Sequence, residues 1–189
     1  MKIERPNFFV ITGGPGSGKT TLIDVLAARG FPHVEEAGRR IIREQLRTGG
    51  NATHEGDRLA FRDLMFTDAV QTFEARTGLH TPVFFDRGLP DLIGYSRLIG
   101  EEVPPPLKEA VTRYRYNNTV FVAPPWEAIY GNDAERKQDF AEAVATHDAI
   151  RTAYRDAGYA LVKLPRAGVE ARVDFVLMRA GVQAERRAR

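Results

Sequence analysis

Cysteine is absent from the chain, which excludes disulfides, thiolate zinc sites and a cysteine nucleophile. The four histidines, at positions 33, 54, 80 and 147, lie too far apart to form a local metal-binding motif. There is no apolar run approaching the length of roughly 18 residues that a membrane span requires. The apolar stretch at the N-terminus, Phe8 to Ile11, is also too short for the core of a secretion signal, so a cytoplasmic location is expected and no membrane partner. An excess of one charge is missing too. The 27 basic and 25 acidic residues are mixed along the sequence, and the formal charge of +2 and pI of about 9.0 reflect a small imbalance without a basic patch. That balance argues against nucleic acid as a partner.

What is present is an ordinary folding composition, with 43% hydrophobic and 28% charged residues over 189 positions, enough for one well-buried domain. Short β-branched and aromatic runs alternate with longer amphipathic segments, the pattern of a parallel sheet covered by helices. Strands are predicted at Asn7–Thr12, Pro32–Glu35, Pro82–Phe85, Thr119–Ala123 and Tyr159–Leu164. Between them, helices are predicted at Gly18–Ala28, Ala37–Arg47, Glu55–Thr77, Leu92–Ile99, after the Pro104–Pro106 run, and at Ala134–Ala157, with a last one carrying Val169, Val173, Val176 and Leu177. Glu55–Thr77 is expected to bury Leu59, Leu64, Phe66, Val70 and Phe73, with Phe61 also in the core. Right-handed crossovers then give a three-layer α/β/α domain over residues 1–189, with ligands at the carboxyl ends of the strands.

The run GGPGSGKT from Gly13 to Thr20 meets the pattern G-x-x-x-x-G-K-[ST] directly after a strand and at the opening of a helix, the context that gives the motif its meaning. Glycines at these positions let consecutive backbone N–H groups curl around phosphate oxygens, and the helix N-terminus adds its positive dipole end. Gly13, Gly14, Pro15, Gly16, Ser17, Gly18, Lys19, Thr20 and Thr21 are therefore the expected nucleotide-binding residues. Lys19 would carry charge to the β and γ phosphates, and the Thr20 hydroxyl would ligate Mg²⁺. The cofactors expected are ATP and Mg²⁺.

Asp86 ends an apolar run where a carboxylate would face the same mouth and hold Mg²⁺; capping the following helix is its alternative duty. Arg87 could stabilise the transferring phosphoryl group or form a surface ion pair. The segment PPWEAIYGNDAER, with Asp133 and Arg136, has the turn residues of a flap near 124–139, and Arg136 could close over the phosphates. Glu36 could accept a proton from a substrate hydroxyl, and Arg39 and Arg43 could bind an anionic acceptor. The simpler account is pairing along one helix, Glu36 with Arg40 and Arg40 with Glu44. Tyr114, Tyr116 and Trp126 could stack on a base or belong to the core.

Taken together, FVITGGPGSGKTTLI, VEEAGR, FFDRG, FVAPPWEAIYGNDAERKQ and GYALVKLP resemble the small P-loop kinases. They are most similar to a group of AAA-family ATPases allied to the nicotinamide riboside kinase domain. The resemblance spans nearly the whole chain. It implies a five-stranded parallel sheet in the order 2-3-1-4-5, a lid after the fourth strand with Arg136 as its arginine, Asp86 and Arg87 as the Walker-B-like pair, and adenine near Pro165–Gly168. The asparagine-lysine-x-aspartate pattern that reads guanine is missing, as is the extra helical domain of ring-forming AAA machines. The expectation is a kinase that transfers the γ-phosphoryl group of ATP to a small-molecule acceptor, acting as a monomer or homodimer. The alternative is a nucleotide-controlled module that binds a protein partner.

Overall fold

The computed structural model describes residues 1–130 and 139–182. Its centre is strand β2 (Phe8–Gly13), every residue of which is buried; β1 (Ile3–Glu4) precedes it. The other strands of the main sheet are β3 (His33–Val34), β4 (Val83–Asp86), β6 (Thr119–Ala123) and β7 (Ala160–Lys163), all parallel, in the order β3-β4-β2-β6-β7. Counted within this sheet alone, that order is 2-3-1-4-5, as the family resemblance implies. A strand buried on both faces needs apolar side chains at every position, which is why the central strands read as unbroken runs such as FFVI and VFF.

Successive residues of β2 point to opposite faces and seed two cores. Phe8 and Val10 pack with Phe73, Phe85, Leu89, Val120 and Tyr154 on one face, whereas Phe9 and Ile11 pack with Leu22, Leu26, Phe84, Phe121 and Val176 on the other. The helices supplying these layers are α1 (Lys19–Ala28), α2 (Ala37–Thr48), α3 (Arg58–Ala75), α4 (Leu89–Leu98), α5 (Pro105–Arg113), α6 (Phe140–Asp156) and α7 (Val169–Arg179). The register sets Ile11 beside Asp86 and Gly13 beside Ala123. The phosphate-loop motif and Asp86 therefore leave the sheet at the same edge.

Several boundaries differ from expectation for local reasons. α3 begins at Arg58 because the Asp57 side chain accepts a hydrogen bond from the Ala60 N–H and caps the helix there. Its buried stripe runs through Phe61, Met65, Ala69 and Phe73, while Leu59 and Leu64 face outward, each 40% exposed. α6 starts at Phe140, where Asp139 and Glu142 form a reciprocal capping box; residues 134–138 of the expected helix lie outside the described residues. α4 begins three residues before the expected Leu92. A second, unexpected two-stranded parallel sheet pairs β1 with β5 (Tyr114–Arg115).

Candidate active site

The loop leaving β2 places Gly16 and Gly18 at φ of 67° and 74°, the left-handed region open to glycine. Gly13, at φ 136°, is glycine for a second reason: a Cβ there would lie 2.4 Å from the Ala123 carbonyl oxygen of the neighbouring strand. The Gly14 carbonyl accepts hydrogen bonds from Lys19 Nζ at 2.9 Å and Ser17 Oγ at 2.8 Å. The loop is thus curled, with its lysine folded back across it.

Pro15 to Thr21 line one end of a cleft of about 1200 Å³. Trp126, Gly168 and Arg172 border the same end, and Glu36, Arg39 and Arg87 line its middle. The far end is walled by Ile42, His54, Arg58, Phe61, Met65 and Tyr95, from α2, α3, α4 and the turn before α3. Gly13 and Gly14 are buried behind the loop and Arg43 is exposed; none of the three lines the cleft. Tyr114 and Tyr116 belong to the core, so of the three aromatic candidates only Trp126 reaches it. Asp133 and Arg136 lie outside the described residues.

Arg87 has a φ of 75° and is the only non-glycine residue with positive φ among the described residues, a strained conformation that its surroundings must hold. Its N–H donates to the Ile11 carbonyl at 3.0 Å. Its guanidinium donates from Nε to Glu36 at 2.9 Å and from Nη1 to both the Gly13 carbonyl and Asp91 at 3.1 Å. Arg87 therefore forms the ion pairs that were one of its expected duties, but from a half-buried position where it is a strut tying phosphate loop, α2 and α4 together while lining the cleft. The helix-pairing account of Glu36 also gives way, because Arg40 bonds Asp68 and Glu44 bonds Arg47.

Asp91, which the sequence did not single out, is the hub behind that strut. Buried to 4% exposure, it accepts from Thr12 Oγ1 at 2.5 Å, the Gly88 N–H at 2.9 Å and the Tyr154 hydroxyl at 2.6 Å, besides Arg87. It also takes the helix-start role considered for Asp86. The Arg87-to-Asp91 spacing of four, at the opening of a helix, is the one signal that could have found it.

The charges of the site are coupled. Burial pushes Lys19 down to about 8, reinforced by the Arg87 charge and opposed by Asp86, Glu36 and Asp91. Burial works against ionised Glu36, but the charges of Arg87 and Lys19 outweigh it and hold the carboxyl at about 2. Burial lifts Asp86 to about 6 against the pull of Lys19. Its Oδ1 is buried without a hydrogen-bond partner.

That orphaned oxygen fits a metal or a metal-bound water. Mg²⁺ takes one or two protein ligands and completes its shell with phosphate and water. Asp86 and the exposed Thr20 are the residues that would hold it. A carboxyl raised above its ordinary 3.8 to about 6 binds its proton more tightly folded than unfolded. Its contribution to stability is therefore greatest below about pH 4 and is lost as pH rises through about 6. Asp86→Asn should match wild type near pH 4 and become the more stable by a few kcal/mol near pH 7 without metal. Urea midpoints across that range test this; a constant gap would mean that folding leaves the proton affinity of Asp86 unchanged.

A family model described as an AAA domain matches residues 8–172. The chain belongs to this AAA domain family. Among curated proteins no sequence relative is found. The AAA-domain chain shares its fold with P-loop kinases of known structure. Deoxyadenosine kinase from M. mycoides, solved with the products dCMP and a flexible dCDP bound, superposes with a TM-score of 0.67 at 12% identity, covering 92% of this chain and 98% of that one. NadR protein in complex with NR gives 0.68 at 19% identity, covering 96% of this chain and 54% of NadR. NadR in complex with NAD and AMP-PNP gives 0.67 at 18% identity. This chain thus spans about half the length of NadR. No described helix is long and apolar enough to cross a membrane.

Proposed function

We propose that the chain is a Mg²⁺-dependent kinase that transfers the γ-phosphoryl group of ATP to a hydroxyl of a small acceptor, such as a nucleoside, nucleotide or related metabolite. The observation that carries this reading is the cleft's extent. One continuous cavity of about 1200 Å³ runs from the phosphate loop past Glu36 to a separate wall on α2, α3 and α4. It exceeds the roughly 300–1,000 Å³ usual for a single small ligand, which suits two substrates meeting at Glu36. The structural neighbours solved with nucleotides and NR support the same choice.

In this reading the loop amides and Lys19 bind the β and γ phosphates, and Thr20 and Asp86 would hold Mg²⁺, which would supply charge neutralisation there. Arg136 is assigned the closing contact on the phosphates from its sequence position. Arg39 is placed on the acceptor side, where it lines the cleft; Arg43 has no such support. Glu36 orients the acceptor hydroxyl. As the new oxygen–phosphorus bond forms and the β,γ bridge breaks, the hydroxyl proton passes to the Glu36 carboxylate and the bond electrons to ADP. A carboxyl held near 2 is a weak base but a permanently ionised acceptor, suited to a loose transition state in which positioning outweighs early proton transfer.

Coupled ADP release across nucleosides, deoxynucleosides, nucleoside monophosphates and nicotinamide riboside tests this. At least one acceptor should accelerate release. With that acceptor, Glu36→Gln should lower kcat about a hundredfold while ATP affinity stays within a few-fold. Release that no acceptor accelerates would favour a nucleotide-controlled binding module.

A further inference from the structure

Arg172 lies on α7, and the cleft chemistry described above gives it no task. It is 3% exposed, and both its Nη1 and Nη2 donate to the Ser17 carbonyl, at 3.0 and 3.1 Å. Its Nε is buried without a partner. Of the other guanidinium groups, the buried Arg62 has a carboxylate partner, Asp63 at 2.8 Å, and the half-buried Arg87 has two carboxylates, Glu36 and Asp91. Among the described residues none is paired with Arg172, and burial lowers its proton affinity. A buried cation without a counter-charge is costly, so its presence against the phosphate loop calls for a reason.

The position supplies one. All described peptides are trans, so the Ser17 carbonyl and the Gly18 N–H point to opposite sides of one planar unit. Drawing the carbonyl back toward α7 turns the Gly18 N–H the other way. Gly18 lines the cleft, and a Cβ at Gly18 would lie 2.7 Å from Arg172 Nη1, so the guanidinium sits directly on this turn.

We infer that Arg172 is a positioning residue for the nucleotide: it holds the Ser17–Gly18 peptide in its anion-facing orientation, and its charge is compensated when a nucleoside polyphosphate occupies the loop. This rests on triphosphate binding by the loop, and it adds that the last helix takes part. It also separates Arg172 from an ordinary packing residue. Loss of a structural anchor lowers stability, whereas loss of an uncompensated buried charge does not.

The test compares Arg172→Met and Arg172→Lys with wild type by calorimetry with ATP and with tripolyphosphate, by ligand-observed NMR with adenosine, and by thermal melting without ligand. Expected for Arg172→Met is a melting temperature equal to or above wild type. ATP and tripolyphosphate should bind roughly tenfold or more weakly, the loss of one charge-assisted interaction, with adenosine unchanged. Unchanged ATP affinity, or an equal loss for adenosine, overturns the inference. If Arg172→Met does not fold, Arg172→Lys decides, because it keeps a charge but not the paired donation. It should weaken ATP and tripolyphosphate severalfold and leave adenosine alone, and wild-type affinity for ATP would overturn the inference. Wild type that binds neither ATP nor tripolyphosphate would overturn the nucleotide reading itself, and this inference with it.

Discussion

Lys19→Met is expected to lower acceptor-dependent ADP release by about 10³-fold or more while leaving the fold at least as stable as wild type. The two halves of that result come from one environment. Lys19 is 5% exposed and its Nζ donates a hydrogen bond to the Gly14 carbonyl. Burial and the Arg87 charge bring its ammonium down to about 8, so the folded chain holds the charged lysine at a disadvantage that the unfolded chain escapes. Methionine of similar length keeps the packing and removes that penalty. In the proposed reaction it also removes a cation that follows charge onto the β,γ bridge.

The same environment gives a pH signature. A triphosphate beside Lys19 favours the charged form and raises its proton affinity, so ATP binding near pH 8 to 9 should take up a proton. Calorimetry in buffers of different ionisation enthalpy reads that uptake directly, and Lys19→Met should abolish it. A variant that folds, binds ATP as wild type and turns over normally would remove Lys19 from the site.

Those features were legible because their signals are local. Glycine spacing, the lysine and the flanking strand and helix all fall within a dozen residues, and a strand buried on both faces announces itself as an unbroken apolar run. The parallel sheet followed from them, whereas its strand order came from the family resemblance. What escaped notice is held together across the chain. Thr12 meets Asp91 across 79 positions and Arg172 meets Ser17 across 155, and no periodicity reports such pairs. The helix-pairing account of Glu36 failed for the same reason, since Arg87, 51 positions away, takes the carboxylate. Two-residue strands such as β1 and β5 are too short to carry an alternation, and their pairing is visible only in three dimensions. Leu59 and Leu64 show the converse limit: a leucine can fit an apolar stripe by spacing and still face solvent when tertiary packing buries the neighbouring stripe through Phe61 and Phe73.

Asp91→Asn should cost about 3–5 kcal/mol of stability, the penalty for breaking a buried charge network on one side. The substitution keeps the shape of the side chain, so the loss reports its charge and hydrogen bonding without a change of packing. Asp91 accepts at both oxygens: Oδ1 from Thr12 and Arg87, and Oδ2 from the Gly88 N–H and the Tyr154 hydroxyl. An asparagine has one oxygen, and whichever way its amide is turned, its NH₂ group meets donors where an acceptor is needed. Arg87 would then keep Glu36 and the Gly13 carbonyl but lose the partner that holds its left-handed backbone against α4. Because Arg87 Nη1 also grips Gly13 at the foot of the phosphate loop, ATP affinity should fall along with stability. Denaturant unfolding and ATP binding on the same samples provide the check. Asp91→Asn with wild-type stability would mean that the network is dispensable, and a stability loss without weaker ATP binding would mean that the strut does not reach the loop.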